Sequence, residues 1–463
     1  MIKQSLSAAD LETALSRTPS DLDLRLDCAR ALVAENLAGR AVMVLAEGAR
    51  HHPGDPRLAI RLAEILTAQG RHDAAQQVLA AGLRARPDHL ELRGLLAAEL
   101  AADLKTEEAL GHLRLLLALL PGQALVLANI GVLLQTGGRV GDAIRHYRRA
   151  VALDPGNAVA QVNLGTALLT RGDRQEGFAR YEHRRSLPGM RLPPPGLPRW
   201  PGGTKVGRLL VSGEQGFGDM LQFARFLPLL AEWADEVWLD CPAEMKRLFS
   251  GSPSLAGVIS PGDAQPDFDA AAPLLSLPHL LQGGAGLLAD SIPYMKAPDD
   301  GPALPPDRRP RIGLAWAGRT GGGDLFIRRT LARRGCSFAE LAPLWELDRF
   351  RWFSLQLGAA ARERTEPVTG LDPLIGDFAD SAALISQLDL MISIDSAPAH
   401  LAGALGTPLW VMLGPGQADY RWGGLTGESP WYPRARLFRA GAEGGWPALA
   451  AELAAALQDM DFA

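Results

Sequence analysis

The chain has 463 residues, too many for one ordinary domain, and 47% of them are apolar, so it can build more than one hydrophobic core. Its formal net charge of -5 excludes a general nucleic-acid binder, which would carry excess positive charge. The three cysteines, Cys28, Cys241 and Cys336, are far apart, which argues against a disulfide framework and against metal-ligand spacing. No apolar segment approaches the roughly 20 residues needed to cross a bilayer. These features predict a cytoplasmic protein with no transmembrane segment and no nucleic-acid partner.

The first part of the chain repeats with a period of 34 residues. Small residues, which allow two helices to touch, recur at this spacing, and so do large apolar residues that fill the seams between helix pairs. A proline, which cannot continue a helix, follows each second helix. This period is typical of tetratricopeptide repeats, so we predict about five repeats within residues 1–189. The recurring positions are Pro53, Pro87, Pro121 and Pro155; Ala41, Ala75, Ala109, Ala143 and Gly177; Leu62, Leu96, Ile130 and Leu164; and Leu45, Leu79, Leu113, Tyr147 and Tyr181.

Stacked repeats form a curved solenoid with a concave surface that suits an extended peptide. Asn129 and Asn163 occupy the same position in adjacent repeats, where their amides are able to bond a peptide backbone. This pair resembles the asparagine ladder of the protein O-linked N-acetylglucosamine transferases. Binding of a partner protein is the favoured interpretation. The alternatives are two ordinary surface asparagines, and an array that serves only as a spacer or a dimerisation surface.

Residues 190–206 are rich in proline and glycine and predict a linker, after which short strands alternate with helices. Strands are predicted at 208–211, 236–239 and 257–259 within a first segment, 207–300, and near 311–316, 351–356, 389–394, 408–413 and 435–438 within a second, 311–440. Helices are predicted at 220–233 and 243–250, and a closing helix at 446–458 lies in a C-terminal segment, 441–463. The alternation predicts parallel sheets covered by helices, with ligands at the carboxyl ends of the strands. The fold class is therefore α followed by α/β.

The strongest site signal is the segment 391–400, which predicts a buried strand, a tight turn and a helix. Ser396 suits the N-cap position of this helix, and Pro398 suits its first turn. The free N–H groups and the positive dipole end would then face the carboxyl edge of the sheet, where they suit an anionic phosphate. His400 lies in the first turn and could add a donor. A capped structural helix without a ligand is the alternative.

The stretch DSAPAHLAGALGTPLWVMLGPG, at 395–416, resembles the donor-binding segment of the ADP-heptose glycosyltransferases. It resembles still more closely the bacterial proteins that join tetratricopeptide repeats to such a domain. The resemblance implies a GT-B fold of two Rossmann-like domains, in which the first faces the acceptor and the second binds a nucleotide-sugar donor. It implies donor contacts at Ser396, Ala397, His400 and Gly414.

A second segment, GEQGFGDM at 213–220, fits neither the dinucleotide-binding fingerprint nor the P-loop. It resembles the loop after the first strand in the same family. The resemblance implies an acceptor-side loop that contains Gln215, Gly216 and Gly218, and it implies that Asp219 takes the proton of the acceptor hydroxyl. The alternative for Asp219 is a purely electrostatic role at a helix N-terminus. Glu214 is a less favoured candidate for the base.

Basic residues after the first strand of the second segment could stabilise a departing phosphate. Gly318 follows that strand, and Arg329 belongs to an arginine-threonine pair that resembles the family's arginine-serine pair. Arg319-Thr320 stands where the family usually carries asparagine-proline, which leaves the identity of the donor open. Arg421, further along the chain, could bind a phosphate or a sugar carboxylate as a bidentate donor. A solvated basic loop is the alternative for the segment 317–330.

The sequence thus predicts a glycosyltransferase that moves a sugar from a nucleotide-sugar donor to an acceptor presented by the repeats, with a protein as the favoured acceptor. An inverting reaction without a metal ion is expected, and the donor is a co-substrate rather than a cofactor. Bacterial proteins of this layout include a flagellin glycosyltransferase, so the resemblance implies flagellin as one candidate acceptor. The alternative is a catalytically degenerate GT-B module whose repeats act as an adaptor in protein assembly.

Overall fold

The computed structural model describes residues 6–214, 216–281, 292–318, 325–415, 419–423, 427–441 and 445–462. The chain folds as two compact units. The first contains Met1–Leu133 together with Gly323–Arg329, and the second contains Leu134–Gly322 together with Thr330–Ala463.

Paired helices follow the 34-residue period, and the small and large apolar residues that recur in the sequence are buried, whereas the recurring prolines are exposed. Ala41, Ala75, Ala109 and Ala143 are all 0% exposed, because each lies where two helices touch. The helices of the repeats, as far as the structure describes them, are α1 (Ala8–Arg17), α2 (Leu22–Ala34), α3 (Ala38–His51), α4 (Pro56–Ala68), α5 (His72–Ala85), α6 (Leu90–Ala102), α7 (Thr106–Leu119), α8 (Ala124–Thr136), α9 (Val140–Leu153), α10 (Ala158–Arg171) and α11 (Arg174–Tyr181). The predicted helical repeats are confirmed.

The turn inside each helix pair adopts the same left-handed backbone conformation. The residues with positive φ are spaced by the repeat period and are Asn36, Gly70, Leu104, Gly138 and Gly172. The residue that follows donates its N–H to a carbonyl five residues earlier, as in the 2.8 Å bond from Arg71 N to Leu66 O. Glycine adopts this conformation without strain, whereas Leu104, with φ of 60°, adopts it at a steric cost.

The proline- and glycine-rich segment 190–206 lies along the edge of the first sheet. Trp200 is 0% exposed, and its backbone N–H donates to Ala271 O at 2.9 Å. Arg199 forms an isolated parallel bridge with Ala271. Arg191 donates to both carboxylate oxygens of Asp240, at 2.7 and 2.8 Å. The segment therefore contributes to the core of the α/β part instead of serving as a free tether.

Two parallel sheets form the rest of the second unit over the residues that the structure describes. The first has the order β3-β2-β1-β4, with β1 (Val206–Ser212), β2 (Ala234–Asp240), β3 (Gly257–Ile259) and β4 (Ala270–Pro273). The second has the order β10-β9-β8-β5-β6-β7, with β5 (Arg311–Ala315), β6 (Arg351–Ser354), β7 (Thr369–Gly370), β8 (Leu390–Ile394), β9 (Leu409–Leu413) and β10 (Arg436–Arg439). The predicted class, helical repeats followed by α/β, is confirmed.

Helices lie between and after the parallel strands along the chain. They are α12 (Phe217–Phe223), α13 (Ala243–Ser250), α14 (Leu277–Leu280), α15 (Leu325–Ala332), α16 (Ala342–Trp345), α17 (Phe378–Ile385), α18 (Ala397–Leu405) and α19 (Gly445–Gln458). One continuous apolar core joins the end of the repeats to both sheets, and it includes Phe178, Leu209, Phe223, Leu401 and Trp431. A separate cluster packs α19 against the other face of the second sheet.

The strand orders indicate where ligands are expected. In the first sheet the order changes direction between β1 and β4, and in the second sheet between β5 and β8. Ligands of open parallel sheets bind at the carboxyl ends of the strands beside such a switch point. The loops after β1 and β8 hold the two motifs singled out in the sequence, so both motifs lie at favourable places.

Candidate active site

The loop after β1 brings α12 into contact with α18. Gly216 is the N-cap of α12, with φ of -65° and ψ of 161°. A methyl group added at Gly218 would lie 2.9 Å from His400 Cδ2 and 3.8 Å from the Cα of Ala397. A side chain at Gly218 would therefore push the two helices apart. Two motifs that are far apart in sequence are side by side in the fold.

The start of α18 has no side-chain cap. Ser396 is the N-cap residue in an extended conformation, but its hydroxyl lies 3.0 Å from Ser393 Oγ and caps no amide of the first turn. Pro398 has no N–H to offer, and Ala399 N bonds to the carbonyl of Ser396 at 3.0 Å. Ser396 and Ala397 are half-buried. The positive end of this helix thus lacks the side-chain oxygen that caps most helix starts, which is compatible with an anion there.

His400 is buried, and its ring is held by neighbouring side chains. Nδ1 lies 3.0 Å from the hydroxyl of Tyr432, and the ring stacks on Trp422 with 5.0 Å between centroids. Nε2 lies 3.8 Å from Asp395 Oδ1. Burial, assisted by the positive charge of Arg421, lowers the pKa of His400 to about 3, so the ring is neutral at physiological pH. The sequence assigned His400 a contact with the donor, but the structure places its ring inside the packing.

Arg421 is the centre of a polar cluster that includes the predicted base. Its Nη2 pairs with Asp219 Oδ1, and its Nη1 lies 3.2 Å from each carboxylate oxygen of Asp419. Its Nε donates to Gln222 Oε1 at 3.1 Å, and its guanidinium lies 4.3 Å from the centroid of the Tyr420 ring. Burial disfavours the charge of Arg421, but Asp219 and the other neighbours outweigh it and raise its pKa, so the side chain is cationic. Asp219 and Arg421, 202 residues apart in sequence, are in direct contact.

A further buried carboxylate, Asp395, lies between β8 and α18 beside this cluster. It accepts a 2.8 Å hydrogen bond from Trp422 Nε1, and Arg334 Nη1 is 3.5 Å away. Burial, and then the charge of Asp419, raises the pKa of Asp395. Asp419 is also buried, but Arg421 and Arg334 outweigh that burial and lower its pKa. Of the two acids, Asp419, next to Arg421, is therefore the one that loses its proton at the lower pH.

Arg225, which follows α12, ties the two sheets together beneath the cluster. Its Nη1 donates to Trp431 O at 2.8 Å, and its Nη2 donates to the hydroxyl of Tyr294 at 3.3 Å. The guanidinium lies 5.0 Å from the ring centroid of Tyr432, and the hydroxyls of Tyr294 and Tyr432 are 3.4 Å apart. A chain of polar groups thus runs from Arg225 to His400. No motif in the sequence pointed to Arg225, Tyr294 or Tyr432.

Glu214, the less favoured candidate for the base, makes contacts that hold two segments of the chain together. Its carboxylate is 0% exposed and binds Arg184 with two hydrogen bonds, at 2.6 and 3.2 Å. It also accepts the N–H of Leu275 at 3.1 Å. Burial raises the pKa of Glu214, and the charge of Arg184 opposes that rise. Glu214 therefore anchors the loop after β1 to the chain that follows α11.

The other predicted donor residues, Gly318, Gly414 and Arg329, have different surroundings. Gly318 is exposed after β5. Gly414 is buried, and a methyl group there would meet the carbonyl oxygen of Arg333 at 2.1 Å, so this glycine allows a neighbouring loop to pass. Arg329 pairs with Asp103 inside the first compact unit, whereas Asp219 and Ser396 belong to the second.

Several sequence predictions cannot be placed at the site. Gln215, Arg319 and Thr320 lie outside the described residues. Asn129 is exposed on α8 and Asn163 is half-buried on α10, and the two belong to different compact units. Peptide binding by these asparagines stays a prediction.

An open cavity of about 600 Å³ lies beside the cluster in the second unit. Arg171 and Arg174, from the turn between α10 and α11, line one part of it, and Tyr420 and Trp431 line another. The Tyr420 hydroxyl is buried and bonds to no described group. Because the Tyr420 ring contacts Arg421, the cavity adjoins the proposed site.

Protein-family models match one segment in each part of the chain. Residues 32–99 match the tetratricopeptide repeat model, and residues 364–447 match the model of glycosyltransferase family 9 (heptosyltransferase). The second match includes β8, α18 and Arg421, but not Asp219. The chain therefore combines tetratricopeptide repeats with a glycosyltransferase family 9 domain.

Among individual proteins, the chain is similar to Protein FlbA of Caulobacter vibrioides, with 28% identity over 326 residues. The match covers 61% of this chain and 52% of that protein, so it spans about half the length of this relative. Two solved structures are similar at low TM-scores. They are MamA 41-end from Desulfovibrio magneticus RS-1 (23% identity, 35% of this chain and 91% of that chain, TM-score 0.32) and YrrB, a TPR protein with an unusual peptide-binding site (17%, 39% and 93%, TM-score 0.34).

Two kinds of feature are missing from the described residues. No group of three or more His, Cys, Asp or Glu side chains in that part of the chain is placed to hold a metal ion. No helix there combines the length and the apolar character that crossing a membrane would require.

Proposed function

We propose that this chain is a GT-B glycosyltransferase that transfers a sugar from a nucleotide-sugar donor with inversion of configuration. The observation that carries the proposal is the contact between the loop after β1 and the start of α18. It brings Asp219 and Arg421 together beside a helix terminus suited to phosphate. The match of residues 364–447 to glycosyltransferase family 9 supports the same assignment.

In the proposed reaction the donor diphosphate lies at the start of α18, with Arg421 beside it. Asp219 takes the proton of the acceptor hydroxyl while the hydroxyl oxygen bonds to the anomeric carbon. The bond between that carbon and the diphosphate oxygen breaks, and its electron pair leaves with the diphosphate. Arg421 and the helix dipole stabilise the charge that develops on the leaving group, which supports a reaction without a metal ion. Glu214 is unsuited to be the base because Arg184 holds its carboxylate.

The acceptor in this proposal is a protein held by the repeats, and flagellin is the named candidate. The cavity lined by Arg171, Arg174 and Tyr420 offers the acceptor a path toward Arg421. Co-expression of the full chain with flagellin, followed by mass spectrometry of the flagellin, tests this acceptor. A mass increase of one sugar that disappears with Asp219→Asn supports it. An unchanged mass with the active enzyme excludes flagellin.

A second candidate function is a degenerate module in which the repeats act as an adaptor. The observation that favours it is the ion pair itself, because Arg421 engages the carboxylate that would have to act as the base. The two functions differ in nucleotide binding. Calorimetry with UDP, GDP, ADP and CMP detects a nucleotide if the chain is a transferase and detects none if the module is degenerate.

A charge placed at the start of α18 tests the phosphate site directly. In Ala397→Asp, a carboxylate would stand about 5 Å from the bound phosphate, which at an effective dielectric of about 20 corresponds to roughly 3 kcal/mol of repulsion before screening by salt. We expect nucleotide affinity to fall at least about ten-fold. Ala397→Asn, nearly the same size but neutral, is the matched control and should change affinity by less than about three-fold. Equal nucleotide affinities of the two variants would show that the phosphate does not bind at the start of this helix.

A further inference from the structure

We infer that Asp219 and the donor diphosphate compete for Arg421, so that the base is set free only when the donor has bound. The inference rests on the proposed function and adds an order of events to it. In the structure, each of the three guanidinium nitrogens of Arg421 already has a hydrogen-bond acceptor. The acceptors are Asp219 at Nη2, Asp419 at Nη1 and Gln222 at Nε. The side chain of Arg421 is 15% exposed, so the protein supplies most of its environment.

The three acceptors are held with different strength. Asp419 is fixed twice, because its Oδ1 also accepts the backbone N–H of Arg421 at 2.9 Å. Gln222 is 0% exposed on α12, and its backbone carbonyl oxygen accepts from Arg225 Nε at 3.0 Å. Asp219 is 20% exposed and has its hydrogen bond to Arg421 alone among the described residues. Asp219 is therefore the acceptor that an incoming anion displaces most easily.

A diphosphate is the class of anion that would win this exchange. It carries more charge than a carboxylate and presents several oxygens to the planar guanidinium. Gln222 Nε2 is buried and has no hydrogen-bond partner among the described residues, so the amide that orients Arg421 also has a donor left for an oxygen in the same place. After the exchange, Asp219 no longer neutralises Arg421 and is available to the acceptor hydroxyl. Donor binding must then precede proton transfer.

Competition predicts that removing the base strengthens the binding of the leaving group. Calorimetry with UDP, GDP and ADP identifies the nucleoside diphosphate that binds best, and this nucleotide is the probe. We expect Asp219→Asn to bind it about 3- to 10-fold more tightly than the unaltered chain, because a neutral amide holds the guanidinium less strongly. The same variant should lose sugar transfer.

A double-variant cycle separates competition from a general charge effect. In the Arg421→Met background, Asp219→Asn should leave the affinity for the diphosphate unchanged, because the shared partner is gone. If Arg421→Met does not fold, Arg421→Lys replaces it. Its ammonium group lacks the planar fork of the guanidinium and holds a carboxylate less firmly, so Asp219→Asn should tighten binding by a smaller factor than in the unaltered chain. An equal factor in either background would overturn the inference.

The outcomes also separate this inference from the proposed function. Failure of every nucleoside diphosphate to bind, to the unaltered chain and to both single variants, would contradict the transferase assignment itself. Equal affinity for the nucleotide in the unaltered chain and in Asp219→Asn would contradict the competition for Arg421 without contradicting the transferase assignment.

Discussion

Replacing Arg184 by methionine removes the positive partner of a carboxylate that has no access to solvent. The side chains of Arg184 and Glu214 are 1% and 0% exposed, and two hydrogen bonds join them. In Arg184→Met the carboxylate keeps only the N–H of Leu275 from this set. Breaking a buried ion pair by removing one partner costs about 3–5 kcal/mol, so we expect a loss of that size at neutral pH.

The loss should depend on pH in a defined direction. Burial raises the pKa of Glu214 in the folded chain, and Arg184 opposes that rise, so its removal raises the pKa further above the unfolded value of about 4.3. A group whose folded pKa is raised in this way is protonated in both states at low pH, where it costs nothing. The cost grows as the pH rises above the unfolded pKa. Arg184→Met should therefore be less destabilised at pH 5 than at pH 8.

Urea unfolding followed by tryptophan fluorescence measures this effect in the relevant part of the chain. All of the 10 tryptophans lie after residue 189, in the α/β part. Arg208→Met is the control, because Arg208 and Glu236 pair on the surface at 46% and 40% exposure and should contribute far less to stability than the buried pair. Replacing both Arg184 and Glu214 by methionine should restore most of the stability. Equal losses for Arg184→Met and Arg208→Met, or a loss that does not change with pH, would refute the reasoning.

Three further substitutions have expected outcomes. Leu104→Gly should stabilise the repeats by about 0.5–1 kcal/mol, because relief of the strained φ of 60° outweighs the extra flexibility that glycine gives the unfolded chain. Helical circular dichroism during thermal unfolding would measure this gain. Gly138→Ala, at the same repeat position with φ of 77°, should destabilise by about 1–2 kcal/mol, and an equal sign for both would contradict this account. Tyr432→Phe leaves Nδ1 of His400 without its partner and should cost about 1–3 kcal/mol in tryptophan-detected unfolding, whereas no loss would mean that the hydroxyl is dispensable.

The sequence predicted an element correctly where the residues of that element carry the pattern by themselves. The strand at 257–259 and the helix at 243–250 are observed at the predicted residues. The segment predicted as a helix at 220–233 is an α-helix only as far as Phe223 and continues as a 3-10 helix, Ala224–Glu232, which contains Pro228. Strand β4 (Ala270–Pro273) was missed, since three alanines and a proline carry no strand signal and pairing with β1 makes them a strand.

The sequence likewise predicted only some of the residues of the candidate site. Motifs pointed to Asp219, Ser396 and Arg421, because each stands in a recognisable loop or helix start. Nothing in the sequence pointed to Gln222 or Arg334, which reach the cluster only through packing of distant segments.

A crystal structure of the full chain with the nucleoside diphosphate that binds best in calorimetry would locate the donor phosphates. We expect phosphate oxygens within hydrogen-bond distance of the amides at the start of α18 and of Arg421, with Asp219 turned away from the guanidinium. Phosphates bound elsewhere, with the pair of Asp219 and Arg421 intact beneath an empty helix start, would contradict this expectation.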